Sequence, residues 1–106
     1  MTESTPETIA FREAIRAHRD ELDATLLRYG ATNARLFGSV ARGDATSVSD
    51  IDIMVDLDPG AGRVLLRLGG LTESFRRILG SPVDVVTPAL LKGRVASTAL
   101  SDAIAL

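Results

Sequence analysis

The chain has no cysteine and no tryptophan, and only three phenylalanines and one tyrosine among its 106 residues. Without thiols it can build neither a disulfide framework nor a thiolate metal site, which accords with a cytoplasmic location. With so few aromatic rings it lacks the platforms on which single-stranded nucleic acid stacks. It also has no block of lysine or arginine, and its formal net charge is −2. A polyphosphate backbone is held chiefly through basic side chains, so stable binding to long DNA or RNA is disfavoured, while one nucleotide in a pocket is not. No apolar run approaches the ~20 residues that cross a bilayer. The start, Met1 to Glu7, is polar and acidic, unlike a signal peptide. The length suits a single domain over residues 1–106, and a hydrophobic content of 45% supplies one modest core.

What is present is a succession of periodic segments. Ser4 followed by Glu7 reads as a capping box, with Pro6 tolerated in a first turn. One helix is expected from there to Gly30, with Phe11, Ile15, Leu22, Leu26 and Tyr29 along its inner face. His18, the sole histidine, falls on that stripe and reads as a half-buried structural residue rather than a catalytic base. A short strand over residues 34–37 follows, then a helical turn over residues 39–43. Ile51, Ile53 and Val55 alternate in the clearest strand, residues 51–57, which Asp58-Pro59-Gly60 closes. A second long helix is expected over residues 63–79, with Gly69-Gly70 marking a kink or a close packing contact. A third strand covers residues 83–86. Thr87-Pro88 then reads as the cap of a third helix running to about Leu100, and the tail as a short strand or more helix. The order α-β-β-α-β-α predicts an α/β (α+β) fold, a small mixed sheet flanked by helices.

Chemistry concentrates in three places. Asp50 and Asp52 lie two apart at the mouth of a strand, a spacing that turns both carboxylates to one side. Carboxylates this close repel unless a cation neutralises them, and Mg²⁺ commonly joins such a pair to substrate phosphates. Ten residues earlier, Gly38 permits a sharp turn and Ser39 offers a hydroxyl and an N–H to a phosphate, with Arg42 one turn on. Asp84 is a lone carboxylate among valines, and faces the pair if its strand lies beside residues 51–57. Three carboxylates can hold two metal ions, and Asp84 can also accept the proton of an attacking hydroxyl. Asp56 and Asp58 share the parity of Asp50 and Asp52 but read as solvated residues at the strand end.

Leu36-Phe37-Gly38-Ser39-Val40-Ala41-Arg42-Gly43, followed by Ser49-Asp50-Ile51-Asp52-Ile53-Met54-Val55, resembles the signature of the DNA polymerase β-like nucleotidyltransferases. The spacing is that of the minimal members, and Val83-Asp84-Val85-Val86 is similar to their third-carboxylate strand. The resemblance implies Asp50, Asp52 and Asp84 as ligands of Mg²⁺ (two ions), and Gly38, Ser39 and Arg42 as the nucleotide-binding residues. It implies ATP as substrate and, as partner, a HEPN-domain ribonuclease toxin that is neutralised by AMP transfer to a tyrosine. No second domain that would bind a drug, a tRNA end or DNA is recognisable. Two other readings stay open: an antitoxin that neutralises by binding alone, through apolar residues such as Leu90, Leu91 or Leu100, and a transferase for an aminoglycoside-type small molecule.

Overall fold

The computed structural model describes residues 3–60, 62–91 and 93–106. Two helices open the chain, α1 (Pro6–Ala17) and α2 (Arg19–Arg28). They are followed by β1 (Ala31–Phe37), α3 (Gly38–Arg42), β2 (Ile51–Leu57), α4 (Val64–Leu79) and β3 (Val83–Val86). A 3-10 turn (Pro88–Leu90), α5 (Gly93–Asp102) and β4 (Ile104–Ala105) complete it.

The four strands form one mixed sheet in the order β3-β2-β1-β4. β1 runs antiparallel to both β2 and β4, whereas β2 and β3 are parallel, joined by α4 as the crossover. Ile51, Ile53 and Val55 on one side of β2 join Leu22, Leu71, Phe75 and Val83 in the core, all at or near zero exposure. Burial of each such side chain contributes about 1.5–3 kcal/mol. The other side of β2 carries Asp52, Met54 and Asp56. The 3-10 turn packs on β2 and α5 on β1 and α3, and Met54 is fully buried.

The expected mixed α/β architecture is therefore present, with several differences in detail. The first helix is two helices. His18, at φ −109° and ψ 19°, ends α1 and starts α2, and its Nδ1 lies 3.2 Å from Glu21 Oε1. The two helices share one apolar stripe, so the break leaves no trace in the periodicity. The α1 cap is Thr5 rather than the Ser4–Glu7 box, because the Thr8 N–H donates to Thr5 Oγ1 at 3.2 Å. β1 begins three residues earlier than expected, and Asn33, at φ 52°, forms an irregularity that the alternation does not register. α4 is continuous, and its glycine pair marks a close contact rather than a kink. A Cβ on Gly70 would stand 2.5 Å from the Tyr29 ring. The expected third helix is divided. Pro88–Leu90 is a 3-10 turn without a side-chain cap from Thr87, and α5 starts only at Gly93. Of the tail after Leu100, Ser101 and Asp102 complete α5 and Ile104–Ala105 form a short strand.

Candidate active site

The phosphate-turn candidates sit where β1 meets α3. Gly38 has φ +68°, a left-handed conformation that glycine adopts without a steric cost. Its position also requires a missing side chain, since a Cβ there would lie 2.4 Å from Asp52 Oδ2. The backbone of the turn and the carboxylate of β2 are thus in direct apposition. Phe37 is the register partner of Asp52 across the antiparallel pair, which carries Gly38 to that position. Ser39 follows in the first turn of α3, half-buried.

Short contacts fix this turn. Arg12 donates from Nε and a terminal nitrogen to the Val40 carbonyl (3.2 and 2.8 Å) and to the Ala41 carbonyl (3.0 Å). These carbonyls lie at the C-terminal end of α3, where a cation also complements the exposed helix dipole. Thr5 donates to the Ala45 carbonyl at 2.6 Å, and the Ala45 N–H donates to Thr8 Oγ1 at 3.0 Å. The start of α1 therefore clamps the chain between α3 and β2. None of these supporting residues has a sequence signal of its own; Arg12 looks like any exposed helix arginine.

The carboxylates meet at the start of the parallel pair. Asp52 and Asp84 are register partners on adjacent strands, so they project to the same side of the sheet. Asp50 is exposed, one residue before β2, where the Ile51 N–H donates to the Pro82 carbonyl at 2.9 Å. Asp52 is half-buried, and its pKa is raised to about 6. Burial is the largest cause, followed by the negative charges of Asp84 and then Asp50, partly offset by Arg42. All three acids thus lie within electrostatic reach of one another. Arg42, expected beside phosphate, pairs with Asp44 (3.3 Å) and Asp102 (3.4 Å). It remains about half exposed, so both pairs are weak and exchangeable.

Among the described residues no three His, Cys, Asp or Glu side chains already converge as a closed metal cage. The donor set nonetheless fits a hard divalent cation. Asp52 and Asp84 lie on one side of the sheet, with Asp50 one residue before β2, and Asp52 is held in an unfavourable charged state for want of positive charge. Asp56, on the same side of β2, is different. It accepts from Asn33 at 3.0 Å and pairs with Arg35 at 3.3 Å, and these bonds lower its pKa. Asp58 accepts the Gly60 N–H at 3.1 Å in the closing turn.

The chain is similar to known proteins. A family model described as a nucleotidyltransferase domain matches residues 15–106. A protein adenylyltransferase of Thermococcus cleftensis, MntA, is 36% identical over 88 residues, covering 83% of this chain and 84% of that protein. A Methanocaldococcus jannaschii protein, provisionally named a protein adenylyltransferase, is 40% identical over 79 residues. Those residues are 71% of this chain and 83% of the relative. A solved structure, provisionally described as a minimal nucleotidyltransferase, superposes with a TM-score of 0.75 at 38% identity. The superposition covers 89% of this chain and 94% of that one.

Proposed function

The chain belongs to the nucleotidyltransferase-domain family, and we propose that it is a metal-dependent protein adenylyltransferase that moves AMP from ATP to a tyrosine of a HEPN ribonuclease toxin and so acts as its antitoxin. It is an enzyme of the minimal nucleotidyltransferase type. The observation that supports metal-dependent transfer is the pairing of Asp52 with Asp84 directly beneath the Gly38 turn. Relatives named as protein adenylyltransferases support a protein acceptor.

In this reading Asp50, Asp52 and Asp84 hold Mg²⁺, which supplies neutralisation of phosphate charge and alignment of attacking and leaving oxygens. Gly38 leaves room for a phosphate against the backbone, and Ser39 donates its hydroxyl and N–H to it. Arg42 exchanges Asp44 and Asp102 for phosphate oxygens, a low-cost exchange for exposed pairs. Asp84 accepts the proton from the acceptor hydroxyl as the bond to phosphorus forms and pyrophosphate leaves. The chain's own tyrosine is badly placed as acceptor. Tyr29 packs on Gly70 beside Gly30, whose carbonyl accepts from Asp58 at the far end of β2.

The test is to incubate the protein with ATP, Mg²⁺ and the product of the adjacent gene, then map adducts by mass spectrometry. One or more AMP units on a partner tyrosine are expected, and none with Asp50→Ala/Asp52→Ala. An unmodified partner, or equal modification by the variant, contradicts the proposal. Exposed apolar side chains also support a second reading, neutralisation by binding alone: Leu65 and Leu66 on α4, and Leu90 beyond β3, are 73%, 67% and 48% exposed. Full protection of cells by the carboxylate-free variant would favour it.

A further inference from the structure

A second surface lies along the outer edge of the sheet. Between α1 and β4 runs an open groove of about 330 Å³. Arg12, Arg16 and Arg19 line it, together with the exposed Ile104 over the buried Ile15 and Leu36. Arg12 and Arg16, four residues apart, lie on one side of α1, and Arg19 opens α2 on the same groove after the His18 break. At 1.5 Å per residue, Arg12 and Arg16 stand about 6 Å apart along α1.

Its positive charge is only partly compensated. Arg19 pairs with Asp23 and also donates to the Leu106 carbonyl. Arg12 donates only to neutral carbonyls. Among the described residues no carboxylate pairs with Arg12 or Arg16. The concentration of cations stands out on a chain of net charge −2.

The groove also borders a strand edge. β4 is the outermost strand, paired only with β1. Leu36 pairs with Ile104, and the Leu106 N–H donates to the Ala34 carbonyl, so the intervening Ala105 turns its N–H and C=O away from β1. Outward groups on an edge strand are a template for an added strand. An extended segment laid there would run under the arginine stripe, with alternate side chains towards it. Arg12 in turn holds the carbonyls of α3, so an occupant would sit one side chain away from the Gly38-Ser39 turn.

We infer that the groove between α1 and β4 docks an extended acidic segment of the protein that receives the nucleotide. The inference rests on the protein-acceptor reading above. Docking there brings the acceptor to the side of the molecule that supports the phosphate turn.

The test uses the full chain and two fluorescent hexapeptides, one alternating glutamate and valine, the other glutamine and valine. By anisotropy, the acidic peptide binds with an affinity that falls as salt rises, and the neutral peptide binds at least tenfold more weakly. Arg16→Glu, and separately Arg16→Ala/Arg19→Ala, weaken the acidic peptide by about tenfold, the effect of two exposed charge pairs. In NMR titrations the Ala105 amide shifts and becomes protected from solvent. Equal binding of the two peptides, wild-type affinity in both variants, or an undisturbed Ala105 overturns the proposal. So does competition by inorganic phosphate that binds equally well, which would mark a simple anion site. A parallel titration with Mg-ATP separates the two readings: peptide binding without nucleotide binding leaves the groove and removes the adenylylation, and the reverse removes the groove alone.

Discussion

Asp52 and Asp56 occupy the same strand and the same side of the sheet, four residues apart, and their environments are opposite. Asp56 is satisfied by the Asn33 amide and the Arg35 guanidinium, and its pKa is lowered. Asp52 is half-buried between two other acids and under a glycine, and its pKa is raised to about 6. One end of β2 is therefore a settled structural ion pair. The other keeps charge crowded where an isolated fold has no use for it. Parity along the strand places both residues on one side, and only the cross-strand neighbours distinguish them: Arg35 reaches towards Asp56, and Asp84 stands beside Asp52.

The largest effect that would break this contrast is on activity. Asp52→Asn should lower AMP transfer on the order of 10³-fold, the scale of losing a main electrostatic element of a site, whereas Asp56→Asn should leave transfer within about twofold. Both are read by labelled-ATP transfer to the partner. Comparable losses at both positions would erase the distinction.

Gly38 tests the steric side of the same end. Gly38→Ala places a Cβ against Asp52 Oδ2 in a left-handed backbone. It should cost about 1–3 kcal/mol in urea unfolding, along with most of the transfer activity. Wild-type stability would mean that the close approach is not maintained in solution.

Much of this contrast was legible in the sequence, and some was not. Gly38, Ser39, Asp50, Asp52 and Asp84 announce themselves because each departs from its local context: small residues closing an apolar run, or acids within one. Placing Asp84 opposite Asp52 follows once residues 83–86 pair with residues 51–57. The division at His18 could not be read, because both helices bury one continuous stripe and neither glycine nor proline marks the break. Thr5 and Ser4 are equivalent hydroxyl candidates for a cap, and only the contact with Thr8 selects Thr5. Asp56 read as merely solvated because its partner Arg35 lies 21 residues away in sequence. The ties of Arg42 to Asp102, and of Arg12 to α3, are likewise long-range.

Acid titration sharpens the comparison at smaller scale. The Asp52 carboxyl binds a proton more tightly when folded, so the gain from protonation is complete below its ordinary pKa, 3.8, and is lost as pH rises to about 6. Stability should fall as pH rises through that window. Asp56, with a lowered pKa, stabilises above its ordinary 3.8 and loses that contribution as pH falls below it. Thermal unfolding of Asp52→Asn should lose the decline between pH 4 and 6, with the two proteins converging at the acid end. Asp56→Asn should keep the decline and cost less than about 1 kcal/mol at neutral pH, as expected for a pair whose carboxylate is half exposed.

The most direct measurement is the melting temperature at neutral pH with and without Mg²⁺ in the presence of ATP. A ligand that binds only the folded chain stabilises it in proportion to the logarithm of its saturation. A crowded carboxylate site predicts that Mg²⁺ raises the melting temperature of the wild type and of Asp56→Asn, but not of Asp52→Asn. An equal rise in all three proteins, or none in the wild type, would contradict the assignment of the Asp52 end of β2 as the metal–nucleotide site.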